Sequence, residues 1–116
     1  MAVLTQADIR QRVAKHLKII ASGQGLRATD GETIDNALVD VLASLKRGSF
    51  VQYDITAIPD YAAIPLVLLV GALAAHGVNA ANPNDYAVLA KGAEPEIRRL
   101  EYEHDEEERG EPELYI

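Results

Sequence analysis

From Tyr61 to Ala75 the chain carries no charged residue, and the run Ile64-Pro65-Leu66-Val67-Leu68-Leu69-Val70 inside it is apolar on every side of a helical wheel. A segment with no polar face has to be covered on all sides. At about 1.5 Å rise per residue it falls short of the roughly 20 residues that cross a bilayer, so the sequence predicts a central buried helix and no membrane span. Pro65 lacks a donor and clashes in a helix interior, which places it in the first turn, after a short turn begun by Pro59 and Asp60. Gly71, Ala72, Ala74 and Ala75 would let neighbouring helices come close, and Gly77 is expected to end the element.

What surrounds that helix follows from the rest of the chain. Its 116 residues suffice for one modest core. There is one Phe and no Trp, so Leu, Ile, Val and Ala must fill the interior, which points to packed helices. The absence of cysteine excludes disulfides, thiolate metal sites and cysteine nucleophiles together.

Thr5 with Asp8 forms a capping-box pattern, and Ile9, Val13, Leu17 and Ile20 then recur on one helical stripe while Lys15 and Lys18 point away. Ser22 to Gly25 are expected to stop this first helix. A second capping box, Thr29 with Glu32, opens a helix whose inner stripe is Ile34, Leu38, Val41, Leu42 and Leu45, with Asp30, Glu32, Asp35 and Asp40 outside and Lys46 and Arg47 in the last turn. Between Gly48 and Pro59, Val51, Tyr53 and Ile55 alternate with polar residues, as an extended loop or hairpin would. Asn82-Pro83-Asn84-Asp85 starts a further helix with an Asn cap and Pro at the first position. Its stripe Tyr86, Leu89, Ala93, Ile97 and Leu100 continues past Gly92 and Pro95, which predicts a kink or brief break near 92–95 within one element. The fold expected is all-α: a small four-helix bundle over residues 1–102, with an acidic, extended C-terminal arm at 103–116.

The formal net charge of −7 is unevenly spread, since residues 103–116 hold seven acids against Arg109 alone and the body is close to neutral. That balance argues against phosphate-backbone binding, which needs clustered Lys and Arg. Asp8 and the charges from Arg10 to Lys18 interrupt any signal-peptide succession, so the protein is expected to stay in the cytoplasm where it is made. His16, His76 and His104 sit on three elements with no second ligand at helical spacing, so no metal site is expected. Ser22, Ser44 and Ser49 lack a nucleophile elbow, and no glycine-rich phosphate loop is present, so neither catalysis nor a cofactor is expected.

Two features point to assembly. The basic outer face of the first helix (Lys15, Lys18) and the acidic one of the second (Asp35, Asp40) are opposite in sign, as the edges of neighbouring subunits in a head-to-tail ring would be. Leu114-Tyr115-Ile116, three apolar residues after an acidic run, have the makeup of a docking peptide.

The layout as a whole resembles the head-to-tail adaptor proteins of tailed bacteriophages, also called head completion or connector proteins, which include the tail accessory factor of short-tailed phages. The likeness lies in the capped first helix, the Gly23-Gln24-Gly25 loop, the Thr29-x-x-Glu32 start leading into Ile34-Asp35-Asn36-Ala37-Leu38, the irregular segment ending Ile58-Pro59-Asp60-Tyr61, and the small-residue helix ending Ala74-Ala75-His76-Gly77. Pro65, Gly92 and Pro95 depart from it.

The resemblance implies a virion protein, assembled in the host cytoplasm, that forms a dodecameric ring between the portal protein and a downstream tail protein. DNA would pass through the channel without specific binding. Leu114, Tyr115 and Ile116 would anchor the arm on the portal, and Phe50, Val51, Tyr53 and Ile55 would form a loop facing the tail or the ring. The competing expectation is a small acidic-tailed helical regulatory module, antitoxin-like, that binds one basic partner.

Overall fold

The computed structural model describes residues 3–20, 25–48, 51 and 55–109, with side chains as far as His104. The chain is mostly helical. A two-residue strand β1 (Val3–Leu4) leads into α1 (Gln6–His16) and α2 (Ala28–Arg47); β2 (Ile58–Pro59) and a 3-10 turn (Asp60–Ala62) then precede α3 (Ala63–Ala74), α4 (Pro83–Leu89) and α5 (Ala93–Arg109). The apolar helix is central as expected, because α3 touches each of the other four helices. Ile9, Val13 and Leu17 from the first helical segment, Ile34 and Leu38 from α2, and Ile97 from α5 close around Leu66 and Val70 of α3, all without solvent contact or nearly so.

The first capping box forms as read. The Asp8 N–H donates to the Thr5 hydroxyl at 3.3 Å, and the Thr5 N–H donates to the Asp8 carboxylate at 2.9 Å. That backbone donor holds the Asp8 carboxyl below its ordinary pKa. The other end of α1 comes sooner than expected. Lys18 takes a left-handed φ of 61°, its N–H donates to the carbonyl of Lys15, and the Ile19 N–H reaches back to Ala14. This is a Schellman closure with lysine where glycine is usual.

The second capping box does not form. Arg27 is the cap of α2, so Thr29 already lies inside the helix and accepts at its carbonyl from the Thr33 hydroxyl, at 3.0 Å. Asp30, expected outside, is 7% exposed and takes a hydrogen bond from Arg27 Nε at 3.2 Å. The expected loop or hairpin lies in part outside the described residues; at its end β2 pairs antiparallel with β1, Val3 opposite Pro59 and Leu4 opposite Ile58, so the strand partner of Ile58–Pro59 is the start of the chain.

Pro65 occupies the third position of α3, within the first turn, where its missing donor has no intrahelical partner to lose. The turn after α3 closes at Asn79, with φ of 57°, and not at Gly77. Gly77 serves a close approach instead, since a Cβ there would stand 2.8 Å from Thr33 Cγ2. Asn82 precedes Pro83 as predicted, but in a left-handed conformation with no hydrogen bond from its side chain to the helix.

Two helix boundaries are corrected at the C-terminal end. The expected kink or brief break divides two separate helices, because Gly92 at φ +85° lies between α4 and α5 and Pro95 falls in the first turn of α5. The arm expected from residue 103 is helical as far as Arg109. Arg99 pairs with Glu96 one turn before it and Glu103 one turn after, and Arg98 with Glu94, which carries the helix into the acidic stretch.

Candidate functional site

The central helix is not covered on every side. Ile64 is 74% exposed and Leu73 54%, against the expectation that α3 is buried all round. Ile64 stands at the rim of a groove of about 460 Å³ between the start of α3 and α5. Pro65 and Leu68 from α3, Ala93 and Leu100 from α5 and Tyr61 from the 3-10 turn line it, with Lys91, Gly92 and Glu96 as its polar edge. The left-handed Gly92 turns the chain sharply into α5, and Tyr61 lies against His104 with ring centroids 5.0 Å apart, tying the turn to the middle of α5. An apolar floor beside a projecting apolar side chain can take up another protein surface.

A second cleft, of about 290 Å³, opens where α1 ends against α4, lined by His16, Lys18, Asn82, Asp85 and Tyr86 among others. His16 projects from the last turn of α1 onto Gly71 of α3, so closely that a Cβ on Gly71 would lie 2.7 Å from His16 Cδ2. Its ring meets Tyr86 of α4 edge to face, at 5.1 Å and 74°. His16 Nε2 is buried, with no hydrogen-bond partner among the described residues. Burial, and then the charge of Lys18, push the His16 pKa down. His76 is differently placed, with Nε2 3.2 Å from the side-chain oxygen of Asn84.

The residues marked by sequence are scattered over the molecule. Lys15, Lys18 and Asp40 are exposed. Asp35 is not available in the same way, because both its oxygens are bound by Arg10 of α1. Val51 is buried in the core and Ile55 packs against it, so neither forms an outward loop. Phe50, Tyr53, Leu114, Tyr115 and Ile116 lie outside the described residues.

The groove was missed because periodicity calls Ile64 and Leu68 core. Their only distinguishing signal is that they open an apolar run with no polar face. The His16 contact left a fainter one, a glycine amid larger residues on the central helix.

Among the described residues no three His, Asp or Glu side chains gather to hold a metal ion, and no helix is long and apolar enough to cross a membrane. No protein-family model, no curated protein and no solved structure matches the chain.

Proposed function

We propose that this chain is a structural assembly protein whose groove between α3 and α5 receives a neighbouring copy of itself. On the resemblance of layout, the assembly is a ring that joins a phage portal to the tail and continues the DNA channel. The observation that supports it most is the exposed Ile64 beside an apolar groove of about 460 Å³. Withdrawing one such side chain from water is worth about 1.5–3 kcal/mol, and a ring repeats the gain at every interface. In this reading α1, α2, α3 and α5 are the four bundle helices and α4 is a short connector. Lys15, Lys18 and Asp40 steer and orient neighbours, the near-neutral body and acidic C-terminal stretch let DNA pass without sticking, and Leu114 to Ile116 anchor the portal.

A second reading has one observation of its own. The continuation of α5 into the acidic residues favours a helical module that presents its negative face to a single basic partner.

Native mass spectrometry of the wild-type chain and of Ile64→Glu, alone and with the portal of the same genome, separates them. The ring reading expects a closed oligomer, alone or on the portal, that Ile64→Glu dissolves without unfolding the monomer. A stable 1:1 complex with a basic partner, no portal binding and indifference to Ile64→Glu would overturn it.

A further inference from the structure

α4 is seven residues long, too short to hold its shape alone, and its one buried residue is Tyr86. The ring that meets Tyr86 edge-on is His16, which at the same time fills the space a side chain on Gly71 would take. α4 also packs directly on α3, so it is the contact between α4 and α1 that passes through this imidazole. Its Nε2 is out of solvent and, among the described residues, unpartnered, which a neutral ring tolerates and an imidazolium does not, since a buried cation without an acceptor is far costlier. The neighbouring cleft supplies what the contact lacks, because Asp85 and Asn82 line it.

We propose that His16 is a proton-operated latch between α1 and α4: neutral, it wedges between Gly71 and Tyr86; protonated, it leaves both for the solvated cleft beside Asp85, so that α4 exchanges a buried ring contact for an exposed ion pair and is held less firmly. The titratable groups beside it are Lys18 from its own segment and Asp85 and Tyr86 from α4, while α3 carries none. Lys18 opposes protonation in the wedge, as does burial. The direction follows from the depressed pKa. The unfolded or unlatched state binds the proton more readily, so the latch is complete above the ordinary histidine pKa of about 6.5 and weakens as pH falls below it. The latch stands independently of what assembles on the groove.

Hydrogen exchange on the full chain, corrected for intrinsic rates, tests it between about pH 7.5 and about pH 5.2, a window that spares carboxylates. The α4 amides, such as that of Ala90 bonded to the Tyr86 carbonyl, should lose about tenfold in protection while α2 amides hold. His16→Phe should remove the response and His76→Gln should keep it, which separates the latch from the His76–Asn84 contact. Should His16→Phe fail to fold, an NMR titration of the wild type serves instead. The His16 resonance should then move with a midpoint below that of a free histidine and in step with the α4 amides, and Asp85→Asn should lower that midpoint further. A flat wild-type profile, a response lost only with His76→Gln, or a His16 midpoint unrelated to α4 would each overturn the latch.

Discussion

Arg10 of α1 grips Asp35 of α2 through two parallel hydrogen bonds, Nε to Oδ1 and Nη2 to Oδ2, each 2.9 Å. The stem of Arg10 runs beside Gly31, where even a Cβ would stand at ordinary contact distance, 3.5 Å from Arg10 Cδ, so one residue joins the two helices by packing as well as by charge. Both side chains are partly screened, at 32% and 24% exposure. The fork geometry makes the pair stronger than an ordinary surface bridge. Arg10→Ala should therefore cost about 1–2 kcal/mol in urea denaturation, and Arg10→Lys should recover only part of it.

The same pair bears on assembly. Asp35→Asn should lower monomer stability and leave oligomer formation to follow only from that loss, whereas Lys15→Glu with Lys18→Glu should change the association of folded chains. Sedimentation of both variants at matched stability distinguishes the two effects, and equal association in all chains would remove charge steering from the account.

At Lys18 the backbone is strained in a way that a substitution can relieve. A φ of 61° costs a lysine roughly 1 kcal/mol that glycine does not incur. Lys18→Gly should thus raise stability by up to about 1 kcal/mol, less the flexibility added to the unfolded chain, and move the melting midpoint up by a few degrees. A drop in stability would mean that the lysine side chain holds the α1 end by a contact that outweighs its backbone.

Local chemistry was legible where one residue pair decides the outcome. Thr5 with Asp8, Pro65 in a first turn and Asn82 before Pro83 each settle a helix start within four residues, and all three positions hold. Thr29 and Glu32 offered the same pattern, yet Arg27 and Asp30 pair two residues earlier, and the helix starts with them. The remaining misses are tertiary. Nothing near Val3 indicates that it will face Pro59, because strand pairing is decided by which surfaces α3 brings together. Periodicity identified Leu66 and Val70 as core, but it counts apolar residues and not the neighbours that cover them, so Ile64 and its groove were invisible. The alternation through Val51 and Ile55 likewise could not say which side faces the core.

Gly92 separates α4 from α5 with φ at +85° and open space where a side chain would stand. The cost of Gly92→Ala is accordingly one of backbone alone, about 1 kcal/mol, and Gly92→Asn should cost less because asparagine tolerates the left-handed region. Thermal melts of the two variants should fall in that order. Equal losses would point to a steric cause that the open surroundings argue against.

Gly71 is the opposite case, since its φ is ordinary and its surroundings are full. A methyl group at Gly71 would lie 2.7 Å from His16 Cδ2, and the ring cannot retreat without losing Tyr86. Gly71→Ala should therefore destabilise the fold by about 1–3 kcal/mol, the usual range for overpacking. His16→Ala alone should also destabilise, by leaving the same space empty. In combination the methyl moves into the room the ring has left, so the double variant should be more stable than the two losses predict by about 1–2 kcal/mol. Urea denaturation of the four chains measures that difference directly. Simple additivity would mean that His16 does not rest on Gly71 in solution, and with it the wedge that holds α4 would fall.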